Sequence, residues 1–119
     1  TNQIEVSLIR PTPFIDGDLA FLQEHRIRPM AWSPLGGGAL FGSGRTDLLA
    51  ALERLGAEQG VDAAAVAVAF LLRHPAGILP VIGTNEPTRI AALARAADVA
   101  LDRQTWFELY SLAIGRAVP

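Results

Sequence analysis

Three short β-like runs, Gln3 to Leu8, Arg28 to Ser33 and Ile78 to Ile82, alternate with longer segments of helical periodicity. This alternation constrains the fold more than any other feature. Strands separated by helices pair in parallel through right-handed crossovers, and a parallel sheet has to be covered on its faces. The expected class is therefore α/β, built from βαβ units. Pro80 interrupts the third run and makes it the least regular of the strands.

The intervening segments predict five helices. The first runs from Asp18 to Arg26, with Asp16 as N-cap and Pro29 forcing an end before it. A second starts near Thr46, capped by that hydroxyl or by the Asp47 carboxylate. It sets Leu48, Leu52 and Leu55 on one face and stops at Gly60. The third, Asp62 through Arg73, is apolar nearly all round and so requires neighbours on several sides. The fourth begins around Pro87 and aligns Ile90, Leu93, Ala94 and Ala97 in one stripe. The last has Asp102 as N-cap and Leu101 and Trp106 as a hydrophobic staple, then a face of Trp106, Leu109, Tyr110 and Ala113.

The whole chain, 1–119, reads as one domain with half of its residues hydrophobic. A closed barrel of eight βα units takes about 250 residues, so the chain supplies only part of one. Net charge is −2, with ten basic residues scattered among twelve acidic ones, which argues against a nucleic-acid partner. The longest apolar stretch, Ala63 to Leu72, is far shorter than the roughly 20 residues that span a bilayer, so no membrane partner is expected. Absence of cysteine excludes disulfides, thiol catalysis and Cys–zinc sites, and fits a cytoplasmic location. His25 and His74 have no second ligand at metal spacing and read as structural, so no metal site is expected. The chain opens on Thr1 and runs into its first strand with neither a methionine nor a secretory signal, as expected of a fragment.

Two segments carry candidate chemistry. Trp32-Ser33-Pro34-Leu35-Gly36-Gly37-Gly38 leaves a strand at the end where α/β folds bind ligands. Its glycines expose backbone N–H groups as an anion-binding nest would, or form a flexible connection. It is not a Walker A loop, because Ser43-Gly44 stands where Lys-Ser/Thr is required. Phe41 likewise breaks a G-x-G-x-x-G pattern. In Gly83-Thr84-Asn85-Glu86-Pro87-Thr88-Arg89 a strand end again leads into a helix. Its hydroxyl, guanidinium and first-turn N–H groups suit phosphate, or belong to an ordinary capped helix.

Together Gln3-Ile4-Glu5, the stretch Arg28-Pro29-Met30-Ala31-Trp32-Ser33-Pro34-Leu35-Gly36-Gly37-Gly38, and Ile82-Gly83-Thr84 with Arg89-Ile90 resemble the aldo-keto reductases. They match that family's sixth, seventh and eighth strand regions in order and spacing. The resemblance is to the C-terminal half of a bacterial member. It implies a partial (β/α)₈ TIM barrel of strands 6–8 and their helices, taken from an NADP(H)-dependent oxidoreductase that reduces aldehydes and ketones without metal. Gln3 would bond the nicotinamide carboxamide, Trp32 would stack on the ring, and Ser33, Leu35 and Gly37 would line the pyrophosphate. Thr84 and Arg89 would hold the ribose 2′-phosphate, favouring NADP(H) over NAD(H).

The sequence departs from the family pattern at Gly83, where many members have lysine, and at Ala92 and Leu93, which replace amides. The family's catalytic Asp, Tyr, Lys and His precede this part, so no catalytic residue is assigned. The expected partners are a carbonyl substrate and either a second copy or a missing N-terminal half. The competing reading is a non-catalytic nucleotide-binding or assembly module made from a truncated barrel.

Overall fold

The structure, a computed structural model, describes residues 2–32, 34, 46–82 and 85–115. Strands β1 (Asn2–Glu5), β2 (Pro29–Trp32) and β3 (Leu79–Pro80) form a parallel sheet in the order β1-β2-β3. Helices α1 (Thr12–Ile15) and α2 (Asp18–Glu24) link the first pair, and α3 (Thr46–Gln59) and α4 (Ala63–Leu72) the second. After β3 come α5 (Pro87–Ala94), a 3₁₀ turn (Arg95–Asp98) and α6 (Arg103–Ile114). No single described helix is long and apolar enough to cross a membrane.

Each boundary has a local cause. β1 ends earlier than expected because the Ser7 hydroxyl accepts from the N–H groups of Ile9 and Arg10, which bends the chain into a turn. Val6 and Leu8 remain buried although they leave the strand. Asp16 does not cap α2 as expected: the N-cap is Gly17, and the Asp16 carboxylate accepts from Asp18 N–H just ahead of it. The same helix closes before Pro29 can act, because Arg26 adopts a left-handed φ of 57° and Ile27 N–H reaches back to Leu22 O. At β3, Val81 N–H donates to Ala31 O at 2.8 Å, so the residues flanking Pro80 hold the ladder. The missing N–H of Pro80 points to the outer edge, which is why proline is tolerated there.

The core forms where the sequence placed it. α4 buries every residue from Ala65 to Leu71, with Asp62 capping its first turn through Ala65 N–H at 2.9 Å. Leu48, Leu52 and Leu55 of α3 face it, with Val6, Ala31, Ile78 and Leu109 in the same cluster. The α5 stripe is a correction: Leu93 and Ala96 are buried, whereas Ile90, Ala94 and Ala97 are exposed. The chain tightens to a 3₁₀ turn at Arg95, so the third residue after Leu93 comes under it.

Gly56 shows how closely α3 and α4 are joined. A Cβ there would meet Val61 O at 2.6 Å, and the Gly56 carbonyl accepts from Val61 N–H in the turn that Gly60 closes at φ 71°. Gly56→Ala should therefore destabilise the fold by about 1–3 kcal/mol through overpacking. That outweighs the roughly 0.5–1 kcal/mol that alanine contributes to helix stability. A urea midpoint equal to or above that of the unsubstituted protein would show that the turn can yield.

Candidate functional site

The sheet has two unlike faces, and the ladder register decides which residues share each. Gln3 pairs with Met30, Glu5 with Trp32, and Met30 with Leu79. Because successive side chains alternate, these five residues project from one face, while Ile4 and Ala31 project from the other. Ala31 is fully buried and Ile4 packs on the main core, so the helices cover that second face. The first face is open: Trp32 is 44% and Leu79 37% exposed, and Gln3 is exposed. Val81 and Ile82, following β3, are exposed as well.

Gln3 and Trp32 are thus brought onto one surface, with the indole on the last residue of β2. Glu5 lies directly beside Trp32 in the ladder, its carboxylate 3.9 Å from the Arg10 guanidinium. The sequence motif contained Glu5 without a role for it, since only the register reveals its neighbour. Arg89 stands in the first turn of α5, its side chain 74% exposed and 4.0 Å from the Glu86 carboxylate. So exposed a pair is weakly held. Ser33, Leu35, Gly37 and Thr84 lie outside the described residues.

Four other titratable and aromatic groups, His74, Asp102, Trp106 and Tyr110, are held in structural contacts. Burial lowers the His74 pKa, and its Nδ1 accepts from Ala76 N–H at 3.0 Å. The Asp102 carboxyl titrates below its usual range because Thr105 N–H donates to it at the start of α6. Trp106 stacks on Phe70 at 4.5 Å and donates its Nε1–H to the Phe70 carbonyl. Tyr110, the sole tyrosine, lies against Trp106 and Phe14 in the same aromatic cluster. A groove of about 540 Å³ opens beside these rings, but neither Gln3, Trp32 nor Arg89 lines it. Among the described residues no group of three or more His, Asp or Glu converges to hold a metal.

The chain matches known proteins in both sequence and shape. The sequence profile described as the Aldo/keto reductase family covers residues 1–114, so the chain belongs to that family. A 6-dehydroglucose reductase of Agrobacterium fabrum is 63% identical over 99% of the chain, which spans 40% of that protein. An uncharacterized oxidoreductase of Bacillus subtilis, YcsN, is 40% identical over the full chain, which covers 41% of it. The chain thus corresponds to about two-fifths of the length of these relatives. Among solved structures, the thermostable aldo-keto reductase Tm1743 superposes with a TM-score of 0.79 at 22% identity, over 92% of this chain and 38% of that one. Aldose reductase from Giardia lamblia superposes with a TM-score of 0.77 at 19% identity, over 100% of this chain and 38% of that one. The shared fold is that of the TIM barrel.

Proposed function

We propose that the chain is the cofactor-binding part of an NADP(H)-dependent oxidoreductase that reduces aldehydes or ketones, contributing barrel strands 6–8. The observation that carries this reading is the register, which sets the Gln3 amide and the exposed Trp32 indole on one sheet face. A flat aromatic ring bearing a carboxamide fits that pair: the indole offers a stacking surface and the amide offers both a donor and an acceptor. Ser33, Leu35 and Gly37 would follow the pyrophosphate, and Thr84 and Arg89 would meet the 2′-phosphate. When bound, the nicotinamide supplies the hydride. Tyr110 is committed to its aromatic cluster, so the proton donor is assigned to residues outside this chain. Catalysis in the cytoplasm belongs to the same reading.

Titration of NADPH into a complete barrel containing this chain provides the test. Trp32→Ala should weaken binding at least severalfold while melting close to the unsubstituted protein. A core tryptophan would instead lose roughly 3–5 kcal/mol of stability. Unchanged affinity, or a collapse in melting temperature, would assign Trp32 to packing.

The relatives named above include 6-dehydroglucose reductase, which makes a sugar carbonyl a natural first substrate to assay. The open face also implies a partner. Trp32, Leu79, Val81 and Ile82 are all more than a third exposed, and exposed apolar area is recovered at about 25 cal/mol per Å² on association. Alone, the 119-residue chain should form a dimer or larger species, or pair with an N-terminal half, and should not turn over substrate. Light scattering coupled to size exclusion checks this, and a monomer reducing an aromatic aldehyde with NADPH would contradict it.

A further inference from the structure

The carboxylate beside Trp32 has no part in the cofactor contacts described above. Glu5 and Trp32 are direct partners in the parallel ladder, so their side chains leave the same face from strands about 4.8 Å apart. The Glu5 side chain is 31% exposed, and among the described residues the Arg10 guanidinium lies 3.9 Å from it, with its own side chain 66% exposed. So loose and solvated an ion pair neutralises little.

We propose that Glu5 is a specificity-determining residue that makes this face prefer the oxidised, cationic nicotinamide over the reduced, neutral one. The proposal rests on the assignment of Trp32 as the stacking surface. A nicotinamide ring carries a positive charge when oxidised and none when reduced, whereas the rest of the dinucleotide is the same in both forms. A fixed negative charge beside the stacking surface therefore discriminates the two forms through charge alone, and the packing of the ring contributes equally to both. Glu5 is partly solvated, and at an effective dielectric of about 50 a single charge at neighbouring-strand distance shifts such an equilibrium by about tenfold. The same field favours the positive charge that develops as a hydride departs with its electron pair. Glu5 would act by position, without accepting a proton.

Calorimetric dissociation constants for NADP⁺ and NADPH, measured on a complete barrel containing this chain, test the idea without reference to turnover. Glu5→Gln keeps the shape and removes the charge, so NADP⁺ should bind about tenfold more weakly while NADPH changes less than about twofold. Arg10→Gln removes a cation that compensates Glu5 only weakly, so the ratio should move little and toward tighter NADP⁺; a clear shift toward NADPH would count against the charge effect. An unmoved ratio in Glu5→Gln with both nucleotides still bound overturns the role of Glu5 and leaves the cofactor site standing. Failure of the unsubstituted barrel to bind either nucleotide removes the site and this proposal with it. Should Glu5→Gln not fold, Glu5→Met, uncharged and of similar length, takes its place: an NADP⁺/NADPH ratio unchanged from the unsubstituted barrel rejects the charge effect.

Discussion

Phe70→Ala should lower stability by about 3–5 kcal/mol, the largest effect expected of any single truncation in this chain. The ring is fully buried on α4, stacks on Trp106 at 4.5 Å with an interplanar angle of 10°, and meets the Phe14 ring edge-on at 5.6 Å. Its removal leaves a cavity bounded by side chains from α1 and α6, which are tied to the backbone and cannot both collapse into it. The Trp106 Nε1–H bond to the Phe70 carbonyl survives the substitution, so the loss reports packing and not a broken hydrogen bond. Phe21, 56% exposed on α2, provides the contrast, because its truncation should cost less than about 1 kcal/mol. Urea unfolding of both variants in a complete barrel should show a midpoint shift for Phe70→Ala alone, at constant slope. Comparable shifts would mean that the aromatic cluster is not the centre of the core.

Arg89→Ala should weaken NADPH binding by about ten- to a hundredfold and leave NADH nearly unaffected, as loss of one charge-assisted phosphate contact requires. The side chain is exposed, and its recorded partner, the Glu86 carboxylate at 4.0 Å, stands on the same turn. A phosphate can displace that partner without leaving a buried charge behind. The first turn of α5 adds N–H groups from Thr88 and Arg89, which the helix itself cannot use. Glu86 opposes the same anion, so Glu86→Gln should tighten NADPH modestly. Equal losses for the two reduced nucleotides in Arg89→Ala would place the guanidinium away from the 2′-phosphate.

Much of the helical framework was legible because its signals are local. Asp62 and Asp102 each cap the helix that begins at the next residue, and both carboxylates accept from the backbone three residues on. The apolar run of α4 demanded burial on all sides and obtained it. Less local features were not readable. The four-residue α1 carries no periodicity and lies between Pro11 and Asp16, so nothing distinguished it from a loop. The Ser7 hydroxyl shortened β1, and the 3₁₀ turn at Arg95 shifted the buried stripe from Ala97 to Ala96. For the site, Gln3, Trp32 and Arg89 were read from family motifs. That Gln3 and Trp32 share a face with Glu5 depends on which residues pair across the ladder, and pairing between strands distant in sequence has no local signature.

Pro80 has a consequence for how such chains would meet one another. The sheet has two outer strands, β1 and β3, and the β3 edge is two residues long with no N–H at Pro80. It is a poor template for strand addition, whereas β1 offers a four-residue edge. Pairing along strands is therefore directional: β1 against β1 of a second copy uses up the better edge on both sides at once. Such a contact would be self-complementary and close at two copies, so any larger species would have to form through the open apolar face, whereas a sheet with two equivalent edges would extend into a fibre.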